Sequence, residues 1–458
     1  MKKITSLAAI AILSSSLLAN ADVQTQIDEL TKEISKLKKA QKSTKKSLSK
    51  VKKATGGDNV KFNIDFRNTV DVLEYKNNET GEIKRNSSLL TSRLYLNMAA
   101  TPMDGLIFKG KLAIYNTWGS EPVAHSAGFK DWAGSSKATD TIMRVKEAYF
   151  VYSTDIGAQP ISVSVGRRLA SNGFLANYRE NEKESGSPLA HITNMEVNAM
   201  MAKLSWDRYV EGAYSKFIYG RAHSGEMEGV FGNTPSERTP FAQETAVDNE
   251  NVDFFIFLGD AYNNAQYQVM YEWAHIFNTK GVRLHDNKTK AASGTADLLA
   301  LSFKIDGIGD EINDFLDDTT AFASVAISYY DAKNGYSLVG STDGGISKGY
   351  SYWLGAVFPD MITDSGKFGL EYNHGSQNWT PMTWAEDTAM GSKIAVRGDA
   401  YEAYWNFNLF GVKYLPSQVR YTYAQHDYTP NINCSGWVKP VAVDITASDL
   451  RVSVSYRY

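Results

Sequence analysis

The chain closes on RVSVSYRY, residues 451–458. Val452, Val454, Tyr456 and Tyr458 fall on one face, and Arg451, Ser453, Ser455 and Arg457 on the other. Side chains of a strand alternate between its two sides, so this segment reads as a half-buried strand. Its apolar face runs to the last residue, where most domains end in a frayed polar tail. Two settings accept such a strand: the edge of a soluble sandwich, or a wall with lipid outside and water inside. A long apolar edge left unpaired aggregates. Pairing with the first strand of the body removes that edge.

The same alternation recurs upstream. VKFNIDFR (60–67) places Val60, Phe62, Ile64 and Phe66 on one face, and LTSRLYLNM (90–98) and LIFKGKLAI (106–114) repeat the pattern. About sixteen such segments run from Val60 to Tyr458, counted by period-two alternation. Their connections alternate in length. TPMDG, TDIGAQ, DRYVEG, DAYNNA, PDMITDSG and LPS are short, and DGIGDEINDFLDDTT is the longer exception on that side. The intervening stretches near 118–141, 168–195, 222–250, 278–295, 331–347, 375–393 and 429–442 are long. Strict parity of short and long is the mark of an up-and-down barrel with tight turns at one end. An even strand count brings both ends of the barrel to the short-turn side. Tyr152, Trp206, Tyr219, Trp273, Tyr329, Tyr330, Tyr372, Trp405, Tyr414 and Tyr458 stand near strand ends, where they suit interfacial girdles.

The amino end reads differently. MKK, an apolar run to Leu18, and the small-residue site Ala19-Asn20-Ala21 form a secretory signal peptide over 1–21. Val23, Ile27, Leu30, Ile34, Leu37, Gln41, Thr44, Leu48 and Val51 step by fours and threes, an a/d seam that asks for a partner helix. The predicted organisation is therefore signal peptide 1–21, coiled-coil arm 22–55 and β-barrel 56–458. Ten lysines against four acids give the arm a charge of +6. A mean hydropathy of -0.34 excludes a bundle of membrane helices but not a barrel. With the +2 of Lys2 and Lys3 and the +6 of the arm taken from the whole chain's -3, about -11 remains on the barrel, which predicts a modest preference for cations. Cys434 is the single cysteine, so no disulfide is expected.

The signal peptide, the alternating body and the terminal aromatic resemble those of Gram-negative outer-membrane porins. With KEAYFVYS and ISVSVGRRLASNGF, the heptad arm resembles an uncharacterised porin-like family of epsilonproteobacterial envelopes. The resemblance implies an all-β transmembrane antiparallel barrel, an outer-membrane location with the arm in the periplasm, and a trimer. It also implies that Val452, Val454, Tyr456 and Tyr458 form a signal read by the outer-membrane assembly machinery.

A barrel of this size is too wide for side chains to fill, so its interior holds water or a plug. In the porins that the chain resembles, the third long loop folds into the lumen. Here it carries Glu180, Glu182 and Glu184, with Arg179 and Lys183 among them. Strand parity points Arg67, Arg93, Arg420, Arg451 and Arg457 inward, with Asp65 beside them. Acids facing bases across a pore would set a transverse field that selects solutes. Arg167 and Arg168 mark the rim, as loop anchors or as contacts for an anionic solute.

The leading expectation is passive conduction of small hydrophilic solutes or ions. A structural tether between membrane and cell-wall polymer through the basic arm is the alternative, and a barrel enzyme a more remote one. GISKG (345–349) matches the hydrolase G-x-S-x-G, but that elbow needs a strand before it and a helix after. Here a strand follows, so Ser347 reads as a loop serine. The seven histidines show no metal-ligand spacing. The acids between Asp306 and Asp318 read as a solvated turn or short helix. No cofactor and no nucleic-acid partner is expected. Upstream of the final strand, Val441, Val443 and Ile445 are odd-numbered, which predicts a bulge or strand start near 447–449.

Overall fold

The computed structural model describes residues 60–458 apart from 119–142, 158, 183, 224–250, 286–289, 310–311, 343, 364–365, 384–385 and 431–438. The leader, the heptad arm, Lys183 and Cys434 lie outside the described residues. Sixteen long strands follow one another. They are β1 (Lys61–Asn77), β2 (Ile83–Met103), β3 (Leu106–Thr117), β4 (Met143–Ile156), β5 (Gln159–Ala170) and β6 (Thr193–Ser205). Next come β7 (Tyr214–His223), β8 (Val252–Asn263), β9 (Tyr267–Arg283), β10 (Lys290–Asp306) and β11 (Thr320–Ala332). The last are β12 (Ile346–Pro359), β13 (Lys367–Gly375), β14 (Gly398–Asn408), β15 (Pro416–Tyr428) and β16 (Ala442–Arg457).

Each strand pairs antiparallel with its successor. β16 pairs with β1 from Asp65↔Arg457 to Asn77↔Ile445, and this seam closes the barrel. The Ile64 amide donates to the Tyr458 carbonyl at 2.9 Å, and the Tyr458 amide donates back at 3.0 Å. The terminal aromatic is therefore held in the seam, and the sixteen long strands close on themselves.

Along β16 the odd residues from Ile445 to Ser455 point inward and are buried, while Val452, Val454 and Tyr456 face out. The predicted phase slip near 447–449 is absent. Ile445 and Ala447 are small or apolar residues in the interior phase, and the register shift sits higher, between His426 and Tyr428. The outer surface is an apolar band; Phe62, Phe150, Val165, Leu301, Val325, Leu354 and Leu370 are all exposed there. Lipid replaces water against such a surface, which makes this a transmembrane barrel.

Most of the expected girdle aromatics are exposed or half-exposed. Tyr330 is not one of them. It is buried inside the barrel, where its hydroxyl donates to the Thr380 carbonyl at 2.7 Å. Ser347 is likewise no loop serine. It lies in β12 and donates to the Val339 carbonyl at 2.6 Å.

At the short-turn end, β2 and β3 are joined by Asp104-Gly105. Gly105 has φ +77, and a Cβ there would lie 2.3 Å from the Ser153 carbonyl oxygen. That turn therefore needs glycine. The acidic connection 307–319 carries one helical turn, α1 (Asp314–Asp317), capped by the Asn313 side chain, which accepts from the Leu316 amide. At the other end, the expected loop 278–295 is mostly strand: β9 runs up to Arg283 and β10 starts at Lys290. Two long loops, 171–192 and 376–397, supply the buried side chains that divide the interior.

Candidate solute passage inside the barrel

Loop 171–192 turns inward and lines one side of the barrel. Phe174, Leu175, Leu189 and Ile192 are buried in one apolar cluster with Ile218, Phe254, Ile256, Leu258, Met270 and Leu298 of the wall. Tyr178 stacks on Phe322 of β11 with ring centroids 5.3 Å apart. Gly355 of β12 makes room there: a Cβ would lie 2.3 Å from the Phe322 ring. Burial of this apolar surface drives the docking. Polar pins set its register. The Leu189 amide and the Thr193 hydroxyl donate to Glu272 at 2.5 and 2.8 Å. The two ring nitrogens of His191 meet Ser324 and Ser351 at 2.7 and 2.9 Å. Burial pushes the His191 pKa down to about 3, so the ring is neutral.

Loop 376–397 docks beside it. Trp379 is fully buried and donates its indole N–H to the Ile394 carbonyl at 2.8 Å. Arg397 donates to the carbonyls of Trp379 and Thr429 and to the Thr380 hydroxyl. Met382 and Thr383 pair in parallel with Thr193 and Asn194, so the two loops are bridged through backbone.

Where the loops reach the facing wall, the interior changes from apolar to ionic. Lys393 donates to Glu371 and Glu402, each at 2.5 Å. Arg179 reaches Glu180 at 3.0 Å, Glu386 at 2.9 Å and Glu402 at 3.8 Å. Asn406 and Gln418 donate to the Arg179 carbonyl. Asp387 receives Arg67 and Arg93, both at 2.6 Å, and its backbone carbonyl receives Arg451 at 2.6 Å. Burial acts to raise the Asp387 pKa, but the guanidiniums of Arg67, Arg93 and Arg451 outweigh it and hold the carboxyl far below the usual range. Arg451 also grips Asp71 at 2.5 Å, and Asp65 takes Arg93 at 3.4 Å and Arg457 at 3.2 Å.

The sequence-predicted residues divide among three places. Glu180 and Glu182 border a space of about 250 Å³ with Asp65, Arg93 and Arg457. Glu180 lies 3.6 Å from Arg420. Burial acts to raise its pKa, but Arg179, Arg420 and Arg67 bring it below the ordinary value. For Glu182, burial and the neighbouring Glu180 push the pKa up. Arg67 and Arg451 stand behind that space, bound to Asp387 and Asp71. Glu184 is separate: it borders a recess beneath loop 171–192 together with Arg168. Arg167 ties neighbouring strands, donating to the Val145 carbonyl and to Glu196. Tyr458, Tyr456, Val454 and Val452 are remote from all of this, on the outer face.

Sequence reasoning missed Asp387, Glu386, Lys393, Glu371 and Glu402. Parity assigns wall residues to a face but is silent on which loops fold inward. The run WAEDTAMGSK (384–393), which mixes apolar and charged residues in a long loop, is the signal for the loop residues, while alternation along β13 and β14 is enough to place Glu371 and Glu402 on the inner face.

A family model described as "Protein of unknown function (DUF3373)" matches residues 83–455. The chain belongs to the DUF3373 family. No curated protein matches it. Among solved structures, this DUF3373 member is similar to an anion-selective porin from Comamonas acidovorans. Identity is 13%, the match covers 87% of this chain and 100% of that one, and the TM-score is 0.49. It is also similar to OmpT, an outer membrane protein of Vibrio cholerae, at 14% identity, 87% and 97% coverage, and a TM-score of 0.46. The outer membrane channel DcaP of Acinetobacter baumannii gives 14%, 87% and 97%, and 0.44.

Proposed function

We propose that this protein is an outer-membrane porin through which small hydrophilic solutes or ions diffuse passively. One observation carries the reading: a closed barrel, apolar outside, whose interior is packed dry on one side and lined by ionised groups on the other. Lipid demands the first feature, and a water-filled passage explains the second. The space beside Glu180 and Glu182 is bordered by Arg93, Lys111, Lys146 and Arg457 against Asp65, Glu180, Glu182 and Asp387. Four bases against four acids leave the constriction itself balanced. A modest cation preference then follows from the acidic balance of the barrel sequence as a whole, about -11.

The signal-peptide pattern and terminal aromatic support the outer-membrane location and delivery by the assembly machinery. The heptad seam supports a periplasmic arm of residues 22–55 that joins copies of the chain, with a trimer as the expected state. The arm's lysines also suit a cell-wall polymer.

Planar-bilayer conductance of the purified, refolded protein, with and without the arm, tests the reading. Stable open channels are expected in both forms. A silent barrel whose arm deletion detaches the envelope would favour the tether instead. Replacing Glu180 and Glu182 by Gln together is expected to move the reversal potential toward anions; an unchanged potential removes them from the constriction.

A further inference from the structure

The lumen holds two populations of cations. Arg67, Arg93, Arg179, Lys393, Arg420 and Arg451 each have a carboxylate within 4.0 Å. Arg168, Lys203, Lys216 and Lys304 have no such partner among the described residues. Their contacts are to neutral groups. Lys216 donates to the Ser187 hydroxyl at 2.8 Å, and Lys304 to the Ala265 carbonyl at 3.0 Å. Lys203 and Lys216 lie over the Tyr214 ring at 4.1 and 5.1 Å, and Arg168 over Tyr149 at 4.4 Å.

These residues are not scattered. Arg168, Lys216 and Lys304 border one recess of about 490 Å³ beneath loop 171–192, and Lys203 adjoins it through the shared Tyr214 ring. The recess carries two carboxylates, Glu184 and Asp260, and Asp260 is bonded to the neutral amides of Asn263 and Gln268. In the lining itself three cations stand against two acids, an excess of one positive charge. Half-buried like charges repel, and the arrangement persists at a cost unless an anion enters. Part of the wall is aromatic or apolar: Tyr149, Phe174, Tyr178, Tyr214 and Met270.

We propose that this recess is a binding site for a small organic anion, whose carboxylate or phosphate meets Lys216, Lys304 and Arg168 while its body lies against Tyr149 and Tyr214. The inference rests on the passage reading and deepens it by naming a solute class. In a barrel with an acidic overall balance, a local cationic recess retains anions that the mean field would dilute.

The test is equilibrium binding to the full-length protein in detergent, by calorimetry, with benzoate, inorganic phosphate and benzylammonium as probes. Benzoate is expected to bind saturably and benzylammonium not at all. Lys216→Gln and Lys304→Gln should each weaken benzoate about tenfold, the scale of one charge-assisted hydrogen bond. The exposed Lys84→Gln, on β2 and away from the recess, should leave it unchanged, and thermal unfolding identifies any variant that fails to fold. Phosphate held as tightly as benzoate would overturn the role given to the aromatic wall. Benzylammonium held as tightly, or undiminished benzoate binding in the folded lysine variants, would overturn the site. Binding does not require conduction. A conducting barrel that ignores benzoate refutes this inference alone, and a silent barrel that binds it refutes the passage reading alone.

Discussion

Strands β8 and β16 run in the same direction, and both put apolar side chains against lipid. Their inner faces differ. β8 turns Val252, Phe254, Ile256 and Leu258 inward, and all are buried. β16 turns Asp449, Arg451, Ser453 and Ser455 inward. The difference follows from what covers each strand. Loops 171–192 and 376–397 lie over the β8 side and exclude water, so an apolar inner face is stable there. Beside β16 the loops present carboxylates and backbone carbonyls, so the wall answers with guanidiniums. The same barrel architecture thus carries a protein core on one side and an ionic cleft on the other. The boundary between them is where substitutions should act most strongly.

The largest effect is expected at that boundary. Lys393→Met leaves Glu371 and Glu402 facing each other in a buried site. Losing one partner of such a pair costs about 3–5 kcal/mol. Unfolding in denaturant should show the loss, and a variant as stable as the parent would mean that the Lys393 pairing adds no net stability. Next comes the dry side. Phe174→Ala removes a buried ring from the loop's apolar anchor, at about 3–5 kcal/mol by analogy with core Phe→Ala changes. Since the loop is the part that loosens, the expected result is larger and noisier conductance with the barrel intact. Unchanged channels would mean that the loop is held by its polar pins alone.

The smallest effect is the pH response of the same anchor. His191 is neutral when docked, with a pKa near 3 against an ordinary 6.5. The undocked loop takes up the proton first as pH falls, so docking is at full strength above pH 6.5 and weakens from there toward pH 3. Asp387, held low by its arginines, weakens the wet side only at pH below the ordinary carboxylate range. Hydrogen exchange of loop 171–192, corrected for the intrinsic pH dependence of the exchange chemistry, should therefore lose more protection between about pH 7.5 and about pH 5 in the parent than in His191→Gln, a comparison that cancels the responses of Glu182 and Glu272. An equal change in both proteins would break the contrast.

Part of this division was legible. FFIFL (254–258) is apolar on both faces, whereas RVSVSYRY alternates strictly with polar residues. A continuous apolar run marks a strand covered on both sides, so the dry side had a signature in β8. Ser347 gives no local clue that a distant loop covers it, whereas Tyr329 and Tyr330 are adjacent in one strand, so alternation alone allows only one of them to face lipid. Glu180 and Glu184, four residues apart, read as one cluster in the sequence. The turn between them sends Glu180 to the wall arginines and Glu184 to the recess below.

Residue alternation, parity of turns and the terminal aromatic determined the barrel, its closure at Tyr458 and the inward direction of Arg67, Arg93, Arg420 and Arg451. These follow from period-two geometry, which is local and therefore written in short stretches. Which side of the lumen is dry, that Asp387 meets three arginines, and that Lys216 and Lys304 share a recess were decided by tertiary structure. Those contacts join residues far apart in the chain, such as Asp387 with Arg67 across 320 positions. They depend on where two loops come to rest, and that is set by burial against the whole wall rather than by any pattern within the loops.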